Sequence, residues 1–253
     1  MCSSDLLPIS VIVAGLIGLG GGAPSLRIKG FYLAMATIAI HFVVMWLILH
    51  IQVTGTTQGL HPPPPQIGSF AFDSDEKIYY IIVTVMLLMT YGARNMVRTR
   101  VGRAFVAIRD NDLAAEVMGI ELYRYKLLAF FISFFYAGIA GSLWAHWIQM
   151  VHPEQFTLLH ALNYIGMLII GGGGSIPGVF FGVIFLRLLD EGVMFAAPIL
   201  ASIFPWIGIA PAASMSVSVF GIILIIFLIF EPIGLAHRWE IFKASYRLYP
   251  FSH

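Results

Sequence analysis

The stretch FYLAMATIAIHFVVMWLILHI, from Phe31 to Ile51, decides the fold class of this protein. It contains no Asp, Glu, Lys or Arg, and it reaches the length of about 20 apolar residues that crosses a hydrocarbon layer of roughly 30 Å as a helix. A helix that is apolar on all of its faces needs lipid or a large core around it. We therefore expect this stretch to span a membrane.

The composition of the whole chain agrees with that expectation. Of its 253 residues, 59% are hydrophobic and 11% are charged, whereas an ordinary soluble domain has roughly 45 to 50% apolar and about 25% charged residues. The net charge of +1 gives no indication of a nucleic-acid or acidic partner. The only cysteine, Cys2, lies outside the apolar runs, which excludes a disulfide framework and a Cys-ligated metal site. We predict no metal site.

Six further apolar runs predict an all-α, polytopic membrane protein with about six or seven membrane segments in one transmembrane domain, 1–253. The predicted segments lie near residues 6–22, 31–51, 78–93, 127–150, 158–170, 179–197 and 214–230. The run at 158–170 is too short to span comfortably, so a re-entrant or interrupted segment is expected around 158–178. The glycines from Gly171 to Gly174 favour a broken helix or a tight turn there, since no Gly-Lys-Ser/Thr follows them.

The basic residues predict which side of the membrane each connection occupies. If the segments alternate, all of the 14 Lys and Arg residues except Lys77 and Arg187 fall on one face, and the positive-inside rule places that face in the cytoplasm. This predicts an extracytoplasmic loop at 52–77, a cytoplasmic loop at 94–126 and a cytoplasmic tail at 231–253. The chain begins without the pattern of a signal peptide, and we expect the true N-terminus to lie upstream.

The cytoplasmic loop at 94–126 is long for a connection, and such length usually serves a function. Its middle, VGRAFVAIRDNDLAAEVM from Val101 to Met118, is rich in helix formers and precedes Gly119, which suits a left-handed helix cap. We predict one short amphipathic surface helix with an ion pair between Arg109 and Asp112 on another face. Its predicted apolar face contains Phe105, Ile108, Ala115 and Met118.

The loop could instead be only a basic anchor on anionic lipid, because its first part is rich in arginine. Its second part contains four acidic residues, which an anionic surface would repel. They are Asp110, Asp112, Glu116 and Glu121. A protein partner suits this mixed surface better.

Several motifs carry a resemblance to a known family. They are GRAFVAIRD at 102–110, Ala114-Ala115, Gly119-Ile120, YKLLAF at 125–130, AGIAG at 137–141, LRIKGFYLA at 26–34, Thr54-Gly55 with Gly59-Leu60, GGGGSIPG at 171–178 and EPIGL at 231–235. From about residue 19 to 235, the sequence resembles the permease subunits of branched-chain amino acid ABC importers, of the LivM type. The resemblance implies the architecture of an ABC importer permease.

The resemblance implies that the loop at 94–126 carries a coupling helix seated in a groove of a cytoplasmic ATPase. The residues expected to serve this coupling are Gly102, Arg103, Arg109, Asp112, Ala114, Ala115 and Gly119. Importer permeases share the pattern Glu-Ala-Ala, three residues, then Gly. Here Leu113 stands where the acid is expected and Asp112 lies one place earlier, and Thr56 stands where the family's Thr-Gly-Gly run has glycine.

The same resemblance implies a transport subunit of the bacterial inner membrane that is not an enzyme and binds no cofactor. ATP and Mg would be bound by the partner ATPases. The implied partners are a second homologous permease, two cytoplasmic ATPase subunits, a periplasmic solute-binding protein and the lipid bilayer, with no nucleic acid. Two alternatives remain open, a related ABC permease for urea or amides and an ion-coupled secondary transporter.

Two further groups of residues are candidates inside or near the membrane. A zwitterionic solute needs polar groups to replace its water, and the candidates for such a path are Thr37, Thr54, Asn163, Gly172 and Gly173. Arg187 lies inside the sixth segment, where an unpaired charge is costly. We predict an intramembrane ion pair of Arg187 with Asp190 or Glu191, which lie one helical turn further on.

Overall fold

The computed structural model describes residues 3–25, 31–51, 57–62, 66–67, 70–71, 74–203, 212–231 and 234–248. The helices are α1 (Ser3–Ser25), α2 (Phe31–His50), α3 (Asp75–Arg98), α4 (Arg100–Asp110), α5 (Asp112–Val117), α6 (Leu122–Ile148), α7 (Leu158–Gly171), α8 (Ile176–Ile203), α9 (Ala212–Phe230) and α10 (Leu235–Leu248). Each of the seven predicted membrane segments overlaps one of the helices α1, α2, α3, α6, α7, α8 and α9.

Helices α2, α3 and α6 are each long and apolar enough to cross a membrane. Two further pairs of helical segments each meet at a bend. If each bent pair is counted as one span, the described part of the chain has as many as 5 spans. The sharper bend, of 119°, separates Pro153–Gly171 from Ile176–Phe195. The interruption expected around 158–178 is therefore confirmed, since Gly172 and Gly174 adopt φ of 102° and 104° between the two helices.

Three elements form where the sequence predicted only a loop or a tail. In the loop at 52–77, two short strands, β1 (Gln66–Ile67) and β2 (Phe70–Ala71), pair antiparallel with Ile67 opposite Phe70. In the tail at 231–253, α10 forms from Leu235 onward. None of the three was predicted, because two-residue strands are shorter than any periodicity can show and the tail was assigned from its charge alone.

The chain divides into two compact units, 1–156 and 157–253. In the first unit, α1 packs along α6 with glycines facing phenylalanine rings. A Cβ built on Gly18 would lie 2.5 Å from Cγ of Phe134, and one on Gly15 would lie 2.9 Å from Cε2 of Phe131. These glycines let the two helices approach closely, as small residues do between membrane helices.

In the second unit, the core forms where α7 packs against α8. Met167, Ile170 and Leu186 are buried together, and aromatic side chains from α8 and α9 cover them. A Cβ on Gly182 would lie only 2.0 Å from the carbonyl oxygen of Met167. The hairpin of α7 and α8 therefore depends on direct backbone contact, which a larger residue at 182 would prevent.

Candidate functional site

The loop at 94–126 folds as two helices and a turn, so the prediction of one continuous helix from Val101 to Met118 is wrong. Asn111 interrupts it with an extended backbone, φ −158° and ψ 108°. Its amide N–H donates to the carbonyl of Ala107 at 3.0 Å, and its side-chain Oδ1 accepts from the amide N–H of Ala114 at 3.1 Å. Asn111 thus ends α4 and caps α5, which is the competition with the helix backbone that makes asparagine a preferred N-cap.

The end of α5 has the cap that the sequence predicts. Gly119 adopts φ of +82°, its N–H donates to the carbonyl of Glu116 at 2.9 Å, and the N–H of Ile120 donates to the carbonyl of Ala115 at 3.0 Å. These two bonds form a Schellman motif, which satisfies the last carbonyls of a helix. Caps at both ends therefore define α5 as a short helix of fixed length.

An ion pair joins α5 to α6. The Nζ atom of Lys126 lies 2.6 Å from Oδ2 of Asp112, and both side chains are part-buried. The predicted pair of Arg109 with Asp112 is wrong, because the break at Asn111 takes Asp112 out of the register of α4. Arg109 pairs instead with Asp110, at 3.2 Å on the exposed surface.

The side chains of α5 divide into an inner and an outer set. Ala115 is buried, with 3% of its surface exposed, whereas Leu113 is 72% exposed, Val117 88% and Met118 82%. Ala114 is also exposed. The predicted apolar face is therefore correct for Ala115 and wrong for Met118, because the break rotates α5 relative to α4.

The first part of the loop folds back sharply on the end of α3. A Cβ on Gly102 would lie 2.2 Å from the carbonyl oxygen of Val97, so α4 can begin here only with glycine at this position. The hydroxyl of Thr99 accepts from the N–H of Gly102 at 3.4 Å, and the guanidinium of Arg103 donates to the carbonyl of Arg98 at 3.2 Å. Gly102 and Arg103 thus hold the corner between α3 and α4.

We name the outer set Leu113, Val117 and Met118 the α5 surface. The sequence pattern did not predict this outward surface, because it placed Met118 on the inner apolar face, noted Leu113 only as a departure from the motif and did not single out Val117. Asn111 was also missed, although asparagine between two runs of helix formers is a signal for a new helix start. The site consists of a rigid capped helix that presents apolar side chains outward, and it contains no arrangement for covalent chemistry.

The candidates for a solute path lie in both units. Thr37 is on α2 in the first unit, where its hydroxyl is exposed and donates to the carbonyl of Ala34 at 2.8 Å. Asn163 is half-buried on α7 in the second unit, and Gly172 and Gly173 lie in the turn that follows. Thr54 lies outside the described residues.

The three charged residues of α8 do not pair in the structure. None of the ion pairs within 4.0 Å among the described residues joins Arg187 to Asp190 or Glu191. The predicted intramembrane ion pair is therefore not formed. Arg187 and Glu191 are both exposed, so no surrounding packing confines their long side chains to a paired conformation.

A comparison with protein families decides the class of this chain. The family described as "Branched-chain amino acid transport system / permease component" matches residues 5–228. The chain belongs to this family. The resemblance seen in the sequence is thereby confirmed, and the protein is a polytopic helical permease of the ABC importer type.

Individual relatives agree with the family. The chain is 29% identical over 210 residues to the high-affinity branched-chain amino acid transport system permease protein LivM of Escherichia coli K12. The alignment covers 73% of this chain and 49% of that protein. It is 29% identical over 206 residues to the autoinducer 2 import system permease protein LsrC of an Enterobacter species. That alignment covers 76% of this chain and 58% of LsrC. It is 22% identical over 247 residues to a probable LivM of Methanocaldococcus jannaschii. That alignment covers 91% of this chain and 68% of that protein.

The chain thus spans about half the length of the Escherichia coli relative. No solved structure matches it. The family and the apolar helices together make the protein a multi-pass membrane protein.

Proposed function

We propose that this chain is the permease subunit of an ATP-driven importer for branched-chain amino acids, and that α5 is the contact through which a cytoplasmic ATPase moves it. The observation that carries the proposal is the α5 surface. Three apolar side chains stand out from a helix that is capped at both ends and tied to α6 by the pair of Asp112 with Lys126. An apolar contact of this kind, on a rigid element, suits a groove in a protein partner.

The geometry also supports transmission of movement. Asp112 of α5 forms an ion pair with Lys126. Lys126 belongs to α6, one of the three helices long and apolar enough to cross the membrane. A displacement of α5 is therefore passed directly to a membrane helix. In the proposed mechanism, closure of two ATPase subunits pushes on α5 and shifts the permease between outward-facing and inward-facing states.

The remaining partners follow from this role. A second homologous permease completes the path, a periplasmic solute-binding protein delivers the solute to the outward-facing state, and ATP with Mg is bound by the ATPases. The assembly resides in the bacterial inner membrane. A ligand shifts such an equilibrium only through different affinities for the two states, so the binding protein must prefer the outward-facing one.

The family description and the LivM relatives support branched-chain amino acids as the substrate. A related permease for another solute is the second candidate, because LsrC, whose name assigns it to autoinducer 2 import, has the same 29% identity to this chain as LivM. The α5 surface would serve both, since coupling does not depend on the solute.

Association with the ATPases tests the coupling contact. We expect Val117→Asp to reduce copurification of the ATPases by about tenfold or more, because a buried unpaired charge in an interface costs several kcal/mol. Ala115→Arg and Gly119→Pro should also weaken association, by distorting α5. The matched control is Val106→Asp, which changes an exposed valine of α4. Copurification at the wild-type level for Val117→Asp would overturn the assignment.

A further inference from the structure

The corner between α3 and α4 concentrates positive charge that the coupling contact does not use. Four arginines occur between residues 94 and 103, namely Arg94, Arg98, Arg100 and Arg103, and no acidic residue occurs between Glu76 and Asp110. All four are exposed. We call these residues the arginine corner.

The fold brings together the end of α3 and the start of α4, which carry these arginines. Gly102 lies against the backbone of Val97, so the first turn of α4 folds directly back on the last turn of α3. The guanidinium of Arg103 donates to the carbonyl of Arg98 at 3.2 Å, which places it at the end of α3. Arg94 and Arg98 lie four residues apart, on the same face of α3.

Most of this charge has no partner within the protein. Among the described residues, the side chains of Arg94, Arg98 and Arg100 take part in no ion pair or hydrogen bond. The first turn of α4 contains no acidic residue, so the positive end of its helix dipole adds to the arginines. The corner therefore has an unfilled capacity for an anion with several oxygen atoms.

The position of the corner indicates which anion. Helix α3 is one of the helices that can cross a membrane, and it ends at Arg98. Exposed apolar side chains alternate with the arginines, since Tyr91 and Val97 are exposed on the same stretch. Apolar and cationic groups together at the end of a membrane helix fit the boundary where acyl chains meet phosphate headgroups.

We propose that the arginine corner binds the headgroup phosphate of an anionic phospholipid in the cytoplasmic leaflet. Arginine suits this ligand because its planar guanidinium donates two parallel hydrogen bonds to phosphate oxygens. The loop then has two separate functions, with its basic first part held on lipid and its apolar α5 surface free for a protein. This binding does not depend on coupling to an ATPase.

Native mass spectrometry of the purified chain, without ATPases, tests the proposal. Phosphatidylglycerol and phosphatidylcholine with identical acyl chains are added separately, and the bound lipids are counted. We expect the wild type to bind phosphatidylglycerol in preference. The triple variant Arg94→Gln/Arg98→Gln/Arg100→Gln should lose this preference by about tenfold or more, since each arginine near an anionic surface is worth roughly fivefold.

A control of equal charge loss separates a built site from general attraction. The control variant changes three other basic residues to glutamine, Arg124, Arg238 and Lys243, of which the first two pair with Glu121 and Glu231. We expect it to keep the wild-type preference. The single variant Arg100→Gln, which lies beyond the end of α3 at Arg98, should reduce the preference by about fivefold.

Three outcomes would overturn the proposal. Equal binding of the two lipids by the wild type is the first, and an equal loss in the corner and control variants is the second. The third is displacement of phosphatidylglycerol by millimolar inorganic phosphate, which would make the corner a site for a soluble anion.

Discussion

Asp112 explains how this sequence departs from the acidic position of the importer motif. The motif expects an acid immediately before the two alanines, whereas here Leu113 occupies that position and is exposed on the α5 surface. The acid one place earlier, Asp112, pairs with Lys126 of α6. The shift by one residue therefore turns a carboxylate inward as a tether and leaves an apolar side chain outward, so the expected contact with the partner becomes more apolar.

A double-mutant cycle on this pair is the first prediction. We expect Asp112→Asn and Lys126→Met to couple by roughly 0.5 to 1 kcal/mol in thermal or denaturant unfolding, because both side chains are part-buried and solvent screens them only partly. The matched control is the pair of Arg124 with Glu121. Their charged atoms lie 2.8 Å apart, but both side chains are largely exposed. Its coupling should be near zero, and a coupling as large as that of the tether would contradict the prediction.

Residue patterns predicted one end of α5 and not the other. The end of α5 was predicted from Gly119, because only glycine takes a positive φ at a helix end without strain. The start of α5 was missed because Asn111 lies between two runs of helix formers that were taken as one helix, and its effect depends on one hydrogen bond, from the N–H of Ala114. A single cap can override the propensity of its neighbours, and propensity alone does not reveal it.

At the scale of elements, the sequence predicts helices much better than it predicts how they pack. The apolar runs place α1 and α6 within a few residues, yet nothing in either run indicates that they pack on each other. The contact depends on complementary shape, with Gly15 and Gly18 of α1 receiving Phe131 and Phe134 of α6. Such matches join residues far apart in the chain, so no local pattern contains them.

The glycines of α1 provide a matched test of this packing. A Cβ at position 18 would lie 2.5 Å from Cγ of Phe134, whereas one at position 20 would meet nothing within 4 Å. We expect Gly18→Ala to lower the stability by roughly 1 to 3 kcal/mol, as overpacking does. Gly20→Ala should leave the stability unchanged or slightly higher, since alanine favours the helix.

The difference in stability between the two variants is measured as the apparent melting temperature in detergent. Gel filtration of each variant fused to a fluorescent protein monitors the loss of folded protein on heating. Equal melting temperatures for Gly18→Ala and Gly20→Ala would show that α1 does not pack on α6 through this face. The same two variants also report on membrane insertion, which neither change should affect because both keep the segment apolar.

At the scale of the whole molecule, charge predicts an orientation and hydropathy predicts the seven apolar helices, while bends decide how many spans the described helices can form. Seven predicted segments correspond to seven helices, but 3 of the helices qualify as spans alone and up to 5 spans result when bent pairs are joined. The bend of 119° follows from Gly172 and Gly174, whose positive φ values end α7 and redirect the chain into α8. A count of apolar segments averages over such breaks, so this one was predicted from the short run at 158–170 and from the glycines that follow it.

Transport by the whole assembly provides the last prediction. In vesicles with the ATPases, the second permease and the binding protein, we expect labelled leucine to accumulate only when ATP is supplied, and to accumulate well above labelled urea. Dissipating the sodium and proton gradients should leave this uptake unchanged, because the energy enters through α5. Val117→Asp should abolish leucine uptake while the permease still inserts. Uptake that persists without ATP would identify an ion-coupled transporter, and preferential uptake of urea would keep the coupling mechanism and change the substrate.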